Sequence, residues 1–140
     1  VNGLLVDTSV WSLALRRDVA DPGPEVAALR DALERSDPLY LTGLILQELL
    51  QGFSGPRARG EIINRLSALP LLVPDRRDHI DAAELRNRCR RAGIQVGTID
   101  ALLGQLCLRH NLVLLTTDDD FRHMARVTGL RVWKSAASGD

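Results

Sequence analysis

At 140 residues the chain is sized for one domain with a real core. Its 45% apolar content fits a soluble globular protein; no stretch reaches the length of a membrane span and no leader pattern opens it, so no membrane association and a cytoplasmic location are expected. With 18 basic and 18 acidic side chains the formal net charge is zero, which argues against nucleic-acid binding by bulk charge and leaves room for a local basic surface.

The first block, GLLVDTSV, carries the apolar run Leu4, Leu5 and Val6 up to Asp7 and reads as a short buried strand. Thr8 or Ser9 is placed to cap a helix over VWSLALRR, and ADPGPEV is a loop punctuated by Pro22 and Pro24. Residues 24–36 put Val26, Leu29 and Leu33 on one helical stripe. PLYLT (38–42) is a second strand, and GLILQELLQGF is a helix that stops near Gly52. GPRARGEIINRLSAL turns Ile62, Ile63, Leu66 and Leu69 to one face, and PLLVP, fenced by Pro70 and Pro74, is a third strand. A long charged helix over 75–91 closes at Gly93. VGTIDALLGQLCLRHN is a strongly apolar helix with Asn111 as its stop. LVLLT is the fourth strand, a helix runs over 119–128 to Gly129, LRVW is the fifth strand, and 135–140 read as a disordered tail.

Cys89 and Cys107 form no CxxC and sit in apolar helical contexts, which suits a reduced interior better than a disulfide. His79, His110 and His123 share no ligand spacing, so no zinc site is expected.

Strands alternate with helices from end to end, and the strands are short, apolar runs. That pattern predicts an α/β fold in three layers, α/β/α, around a parallel sheet of about five strands. Ligands of such sheets bind at the carboxyl ends of the strands. Asp7 ends the first strand, Asp118 follows the fourth, Glu48 lies in the helix after the second, and Asp100 lies near the start of the helix that leads into the fourth. Four carboxylates from distant segments thus share one edge. Glu48 and Asp100 stand in apolar company, Leu44 and Ile45 for one and Leu103, Gly104 and Cys107 for the other. A charge in such a place needs a partner. An Arg for Glu48 and a capping role near Gly97 and Thr98 for Asp100 are the plain alternatives to a cation. The run Asp118, Asp119, Asp120 repels itself unless a helix start or a cation absorbs the charge. Hard divalent cations take oxygen ligands, and a pair of them can clamp the oxygens of a phosphodiester displacement.

These residues resemble a known family. LLVDTSVW, LTGLILQELLQG, VGTIDALLGQLCLRHNLVLLTTDDDF and GLRVW, in this order over residues 3–133, are similar to the PIN-domain ribonucleases and most of all to the VapC toxins of bacterial toxin–antitoxin pairs. The resemblance implies a PIN-like nuclease domain over 1–134 that cleaves RNA with Mg2+ or Mn2+. It implies Asp7, Glu48, Asp100 and Asp118 as catalytic acids and metal ligands, with Asp120 as a further metal ligand at the rim. Ser9 and Thr116 match polar residues that support the acids. Asp119 has no counterpart and is expected to be solvated. The implied chemistry is metal-assisted hydrolysis by water, with no histidine or side-chain nucleophile. The implied assembly is a homodimer inhibited by a small VapB-like antitoxin. Trp11, Leu13 and Leu15 are candidates for an interface and equally for the core.

An acidic cleft repels a polyanion, so its surroundings should be basic. Arg76, Arg77, Arg86 and Arg90 are candidates for RNA phosphates, against the plain alternative of a solvated helix face laced with pairs such as Glu84 with Arg88. Aromatic residues are few, so no preferred RNA sequence is legible. A receiver domain or an Asp-x-Asp phosphatase does not fit, because Thr8 and Ser9 follow Asp7. A PIN-fold nuclease outside a toxin–antitoxin pair, or a non-catalytic metal- or RNA-binding module, are the alternatives.

Overall fold

The computed structural model describes residues 3–16 and 18–136. The elements run β1 (Leu4–Val6), α1 (Thr8–Leu15), α2 (Pro24–Glu34), β2 (Leu39–Thr42), α3 (Gly43–Gly52), α4 (Pro56–Leu66), β3 (Leu71–Leu72), α5 (Arg76–Arg91), α6 (Thr98–Arg109), β4 (Val113–Leu115), α7 (Asp119–Thr128) and β5 (Arg131–Val132). The five strands form one sheet in the order β3-β2-β1-β4-β5, and every pairing is parallel. This is the three-layer α/β/α fold that the alternation of elements predicts. Leu5, Val6, Leu114 and Leu115 are fully buried, which is why β1 and β4 read as apolar runs rather than as alternating strands.

The chain order places the site. It steps outward from β1 to β3 on one side, then returns to lay β4 and β5 on the other. The direction of winding therefore reverses between β1 and β4, whose ends align with Val6 beside Leu115. Such a reversal opens a crevice at the carboxyl edge, because the two connections leave in opposite directions. Asp7 and Thr116 are the next residues on the two strands.

The α5–α6 hairpin sets the rest. A capping box starts α5: the Asp75 carboxylate accepts from the Asp78 N–H at 2.9 Å and Asp78 returns the bond at 3.0 Å. Asp78 is fully buried and lies 2.7 Å from the Arg109 Nε at the end of α6. At the other end the Arg86 Nε donates to the Val96 carbonyl at 2.7 Å, just before α6 begins. The two helices are thus antiparallel. Gly104 of α6 lies so close to α7 that a Cβ there would meet the Met124 Sδ at 2.6 Å.

Several details depart from the sequence pattern. Asp7, rather than Thr8 or Ser9, is the N-cap of α1, and its side chain makes no capping bond. On α2, Ala32 turns inward with Val26 and Leu29, leaving Leu33 49% exposed; Ile63 of α4 is also exposed. Strand β3 shrinks to two residues, because Pro70 and Pro74 have no N–H to extend a ladder. The expected tail at 135–140 falls, from 137 onward, outside the described residues. Among the described residues no helix is long and apolar enough to cross a membrane.

Candidate active site

The crevice is built from Asp7 outward. Its N–H donates to the Leu115 carbonyl at 2.9 Å, which extends the β1–β4 ladder by one bond. Its side chain is buried, and Oδ2 accepts from both the Ser9 hydroxyl at 2.9 Å and the Thr116 hydroxyl at 2.8 Å. Each hydroxyl has one proton and spends it on Asp7. Their oxygens in turn accept backbone N–H groups, Thr117 onto Ser9 at 3.2 Å and Asp118 onto Thr116 at 3.0 Å. The loop after β4 is therefore tied to the end of β1 through two hydroxyls, and Oδ1 of Asp7 accepts none of these bonds. Ser9 and Thr116 hold an acid in place, the position their match implied.

Glu48 is exposed on α3 rather than buried among its leucines, and among the described residues no Arg pairs with it. Its Oε1 accepts from the Thr8 hydroxyl at 2.8 Å. Thr8 is the residue that sequence reasoning missed: it was read as a helix cap, and it instead links the second acid to β1. The polar triplet Asp7-Thr8-Ser9 at a strand end was the available signal. Asp118 caps α7, with its Oδ1 accepting the Asp120 N–H at 2.9 Å. Asp119 points to solvent, its side chain 82% exposed, and pairs with Arg122 at 3.0 Å. Asp120 is exposed at the rim.

Asp100 enters from the other side, as the third residue of α6. The N-cap there is Gly97, which has no side chain to share a capping bond, so the capping role does not materialise. Asp100 is half-buried, and its carboxyl pKa is pushed up to about 6. Burial is the largest cause, followed by the negative charges of Asp118, Asp7, Asp120 and Glu48. The other four sequence-predicted acids thus all lie within Coulomb reach of Asp100, and among the described residues none of the five has an ion-pair partner. Cys107 lies near Asp7; burial first and then that charge push its thiol up to about 12, so it stays protonated and unreactive.

The donor set suits a hard divalent cation: all oxygen, net negative, and destabilised at Asp100 by its own neighbours. Among the described residues no three His, Cys, Asp or Glu side chains converge into a ready-made cage. An open set fits Mg2+ chemistry, in which one or two carboxylates bind directly and waters and substrate oxygens complete the shell.

Basic residues border the cluster on one side. A groove of about 640 Å3 at the α5–α6 elbow is lined by Arg86, Arg90, the turn from Ile94 to Gly97, and Asp120. Arg76 and Arg77 do not reach it. They sit beside Asp78 at the start of α5, about 15 Å along the helix from Arg86. Arg77 is the solvated-face case, paired with Asp81 at 3.1 Å.

Residues 4–127 match the family model of the PIN domain. Over 130 residues the chain is 31% identical to ribonuclease VapC11 of Mycobacterium tuberculosis, covering 91% of this chain and 96% of that protein. Solved structures agree in fold. The VapBC-1 structure of nontypeable Haemophilus influenzae matches with a TM-score of 0.71 at 19% identity, over 94% of this chain and 97% of that one. VapC20 of Mycobacterium tuberculosis, a toxin that cleaves the sarcin–ricin loop, matches with a TM-score of 0.63 at 19% identity, over 85% and 92%.

Proposed function

The chain belongs to the PIN-domain family, and on that premise we propose that it is a metal-dependent ribonuclease acting as the toxin of a VapBC-type pair. The observation that carries the reading is the acid cluster at the β1/β4 reversal, in which Asp100 faces four other carboxylates and, among the described residues, pairs with no cation.

Asp7, Glu48, Asp100 and Asp118 are the residues that would hold Mg2+ or Mn2+, with Asp120 at the rim. When bound, such an ion supplies a more acidic water and neutralises charge building on the phosphate. The chain's own contribution is placement. Ser9 and Thr116 hold Asp7 through Oδ2 and leave Oδ1 outside both bonds. Thr8 holds Glu48 at the opposite wall. Asp118 is held by its bond to the start of α7. No described side chain is set up as a nucleophile: the histidines lie outside the cluster, and the two cysteines are buried.

A VapB-like antitoxin is the proposed partner. An apolar groove of about 350 Å3 between α1, α2 and α4, lined by Trp11, Leu15, Leu29, Leu33 and Leu69, supports it. Trp11 belongs to the core beside the groove, and Leu13 and Leu15 both pack against that core. A homodimer is proposed on the family likeness alone.

The test is cleavage of total bacterial RNA by the purified protein, with and without Mg2+ or Mn2+, beside Asp100→Asn. Discrete metal-dependent cuts that vanish in the variant are expected. The same ions should raise the melting temperature of the wild type near neutral pH and leave Asp100→Asn nearly unmoved. Folded protein that cuts no RNA under either metal would overturn the reading in favour of a binding module.

A further inference from the structure

We propose that the groove at the α5–α6 elbow is a phosphate subsite for the RNA strand beside the bond that is cut, with Arg86 and Arg90 as its donors. The inference rests on the ribonuclease reading above. The groove and the acid cluster share Asp120, so a strand lying in one continues into the other. A polyanion is repelled by five carboxylates and needs cations beside them.

Arg86 is built for the task. It is half-buried, and its Nε is spent on the Val96 carbonyl at 2.7 Å. That bond fixes the guanidinium plane and leaves the terminal nitrogens to a second acceptor. A planar fork held in this way loses little freedom when it takes a phosphate. Arg90 lies one turn further along the same face, exposed, with the Asn87 side-chain oxygen at 3.4 Å as its hydrogen-bond contact. Other arginines of the chain are matched to carboxylates: Arg35 to Asp37, Arg57 to Glu61, Arg77 to Asp81. Among the described residues these two are not, so the groove keeps a positive excess, two guanidinium groups against the one carboxylate of Asp120. The helix dipole accounts for cations in the last turn of α5, where Arg88, Arg90 and Arg91 lie. It does not account for Arg86, which lies a turn earlier and binds the carbonyl of another segment.

The experiment is RNA binding in the presence of EDTA, which blocks cleavage. Fluorescence anisotropy of a labelled oligouridylate of about 12 nucleotides is followed across a salt series. Arg86→Gln and Arg90→Gln should each weaken binding about fivefold and lower the salt slope by about 0.7, the share of one phosphate on a single strand. Arg77→Gln is the control at the other end of α5 and should change neither. Arg86→Lys should keep the slope and still bind more weakly than wild type, because it retains the charge and loses the fork. Melting curves establish that the variants are folded; Arg90→Gln, which disturbs no backbone contact, decides the matter if Arg86→Gln melts early. If wild type binds and cuts RNA while Arg90→Gln behaves like Arg77→Gln, the subsite is wrong and the nuclease stands. Displacement of the RNA by polyglutamate as readily as by unlabelled RNA would reassign the groove to acidic peptides. A wild type that neither binds nor cuts RNA would remove the ribonuclease reading and this inference with it.

Discussion

The two ends of the α5–α6 hairpin each hold a carboxylate withdrawn from water, and they treat it in opposite ways. At the far end Asp78 is fully buried. Burial alone would push its pKa up, yet the Asp75 N–H, Arg109 and Gln105 together hold it below the usual carboxylate range. The Arg109 Nε lies 2.7 Å from the Asp78 Oδ1. At the near end Asp100 is only half-buried, and its pKa is pushed up to about 6 because burial is reinforced by four further negative charges. Company, more than depth, separates the carboxylate that holds the fold from the one that awaits a ligand.

The sharpest way to break the comparison is to neutralise each acid in turn. Asp100→Asn, or Asp7→Asn, should lower cleavage by about a thousandfold, measured on RNA with Mg2+ or Mn2+ at matched folded protein. The far end should answer in stability instead. Arg109→Leu leaves Asp78 buried without its cation and should cost about 3 kcal/mol in urea unfolding, with cleavage per folded molecule unchanged.

The pH dependence should differ in sign. The raised pKa of Asp100 means that the metal-free native state binds more protons than the unfolded chain from about pH 4 to about pH 6. Its contribution to stability is therefore lost as pH rises through that window. Asp78, with a lowered pKa, contributes stability above the unfolded value near 4 that is lost as pH falls below it. Asp100→Asn should accordingly stabilise the metal-free protein near neutral pH by about 1 kcal/mol, a figure discounted because the group is half exposed to water. Thermal melts should show that gain disappear toward pH 4. The smallest effect belongs to Thr8→Val, which frees Glu48; cleavage should fall about fivefold, the worth of one hydrogen bond, with little change in melting temperature.

Much of this was legible from the residues. Strands buried on both faces leave continuous apolar runs, so β1, β2 and β4 and the acids at the β1 and β4 ends could be placed before any coordinates. Asp100 stood out because an acid among Leu103, Gly104 and Cys107 is costly without a reason. What failed was orientation. A helical face states which residues point together and not which end of the helix meets the cleft, so Arg76 and Arg77 were grouped with Arg86 and Arg90. Which end of α5 lies away from the cleft follows from its docking on α6, seen in the contact of Asp78 with Arg109 across 31 positions, which no local pattern carries. The same blindness hid Thr8, whose partner is 40 residues away.

The bond from Thr116 to Asp7 spans 109 positions. Every acid but Asp118 and Asp120 is translated before that clasp exists. Until Thr116 has left the ribosome and β4 has docked beside β1, Asp7 has only the Ser9 hydroxyl and lacks both that of Thr116 and its neighbour Asp118. A chain that stops short of β4 therefore lacks the Thr116 clasp as well as Asp118 and Asp120. The acid cluster is thus assembled late along the chain, when β4 docks beside β1.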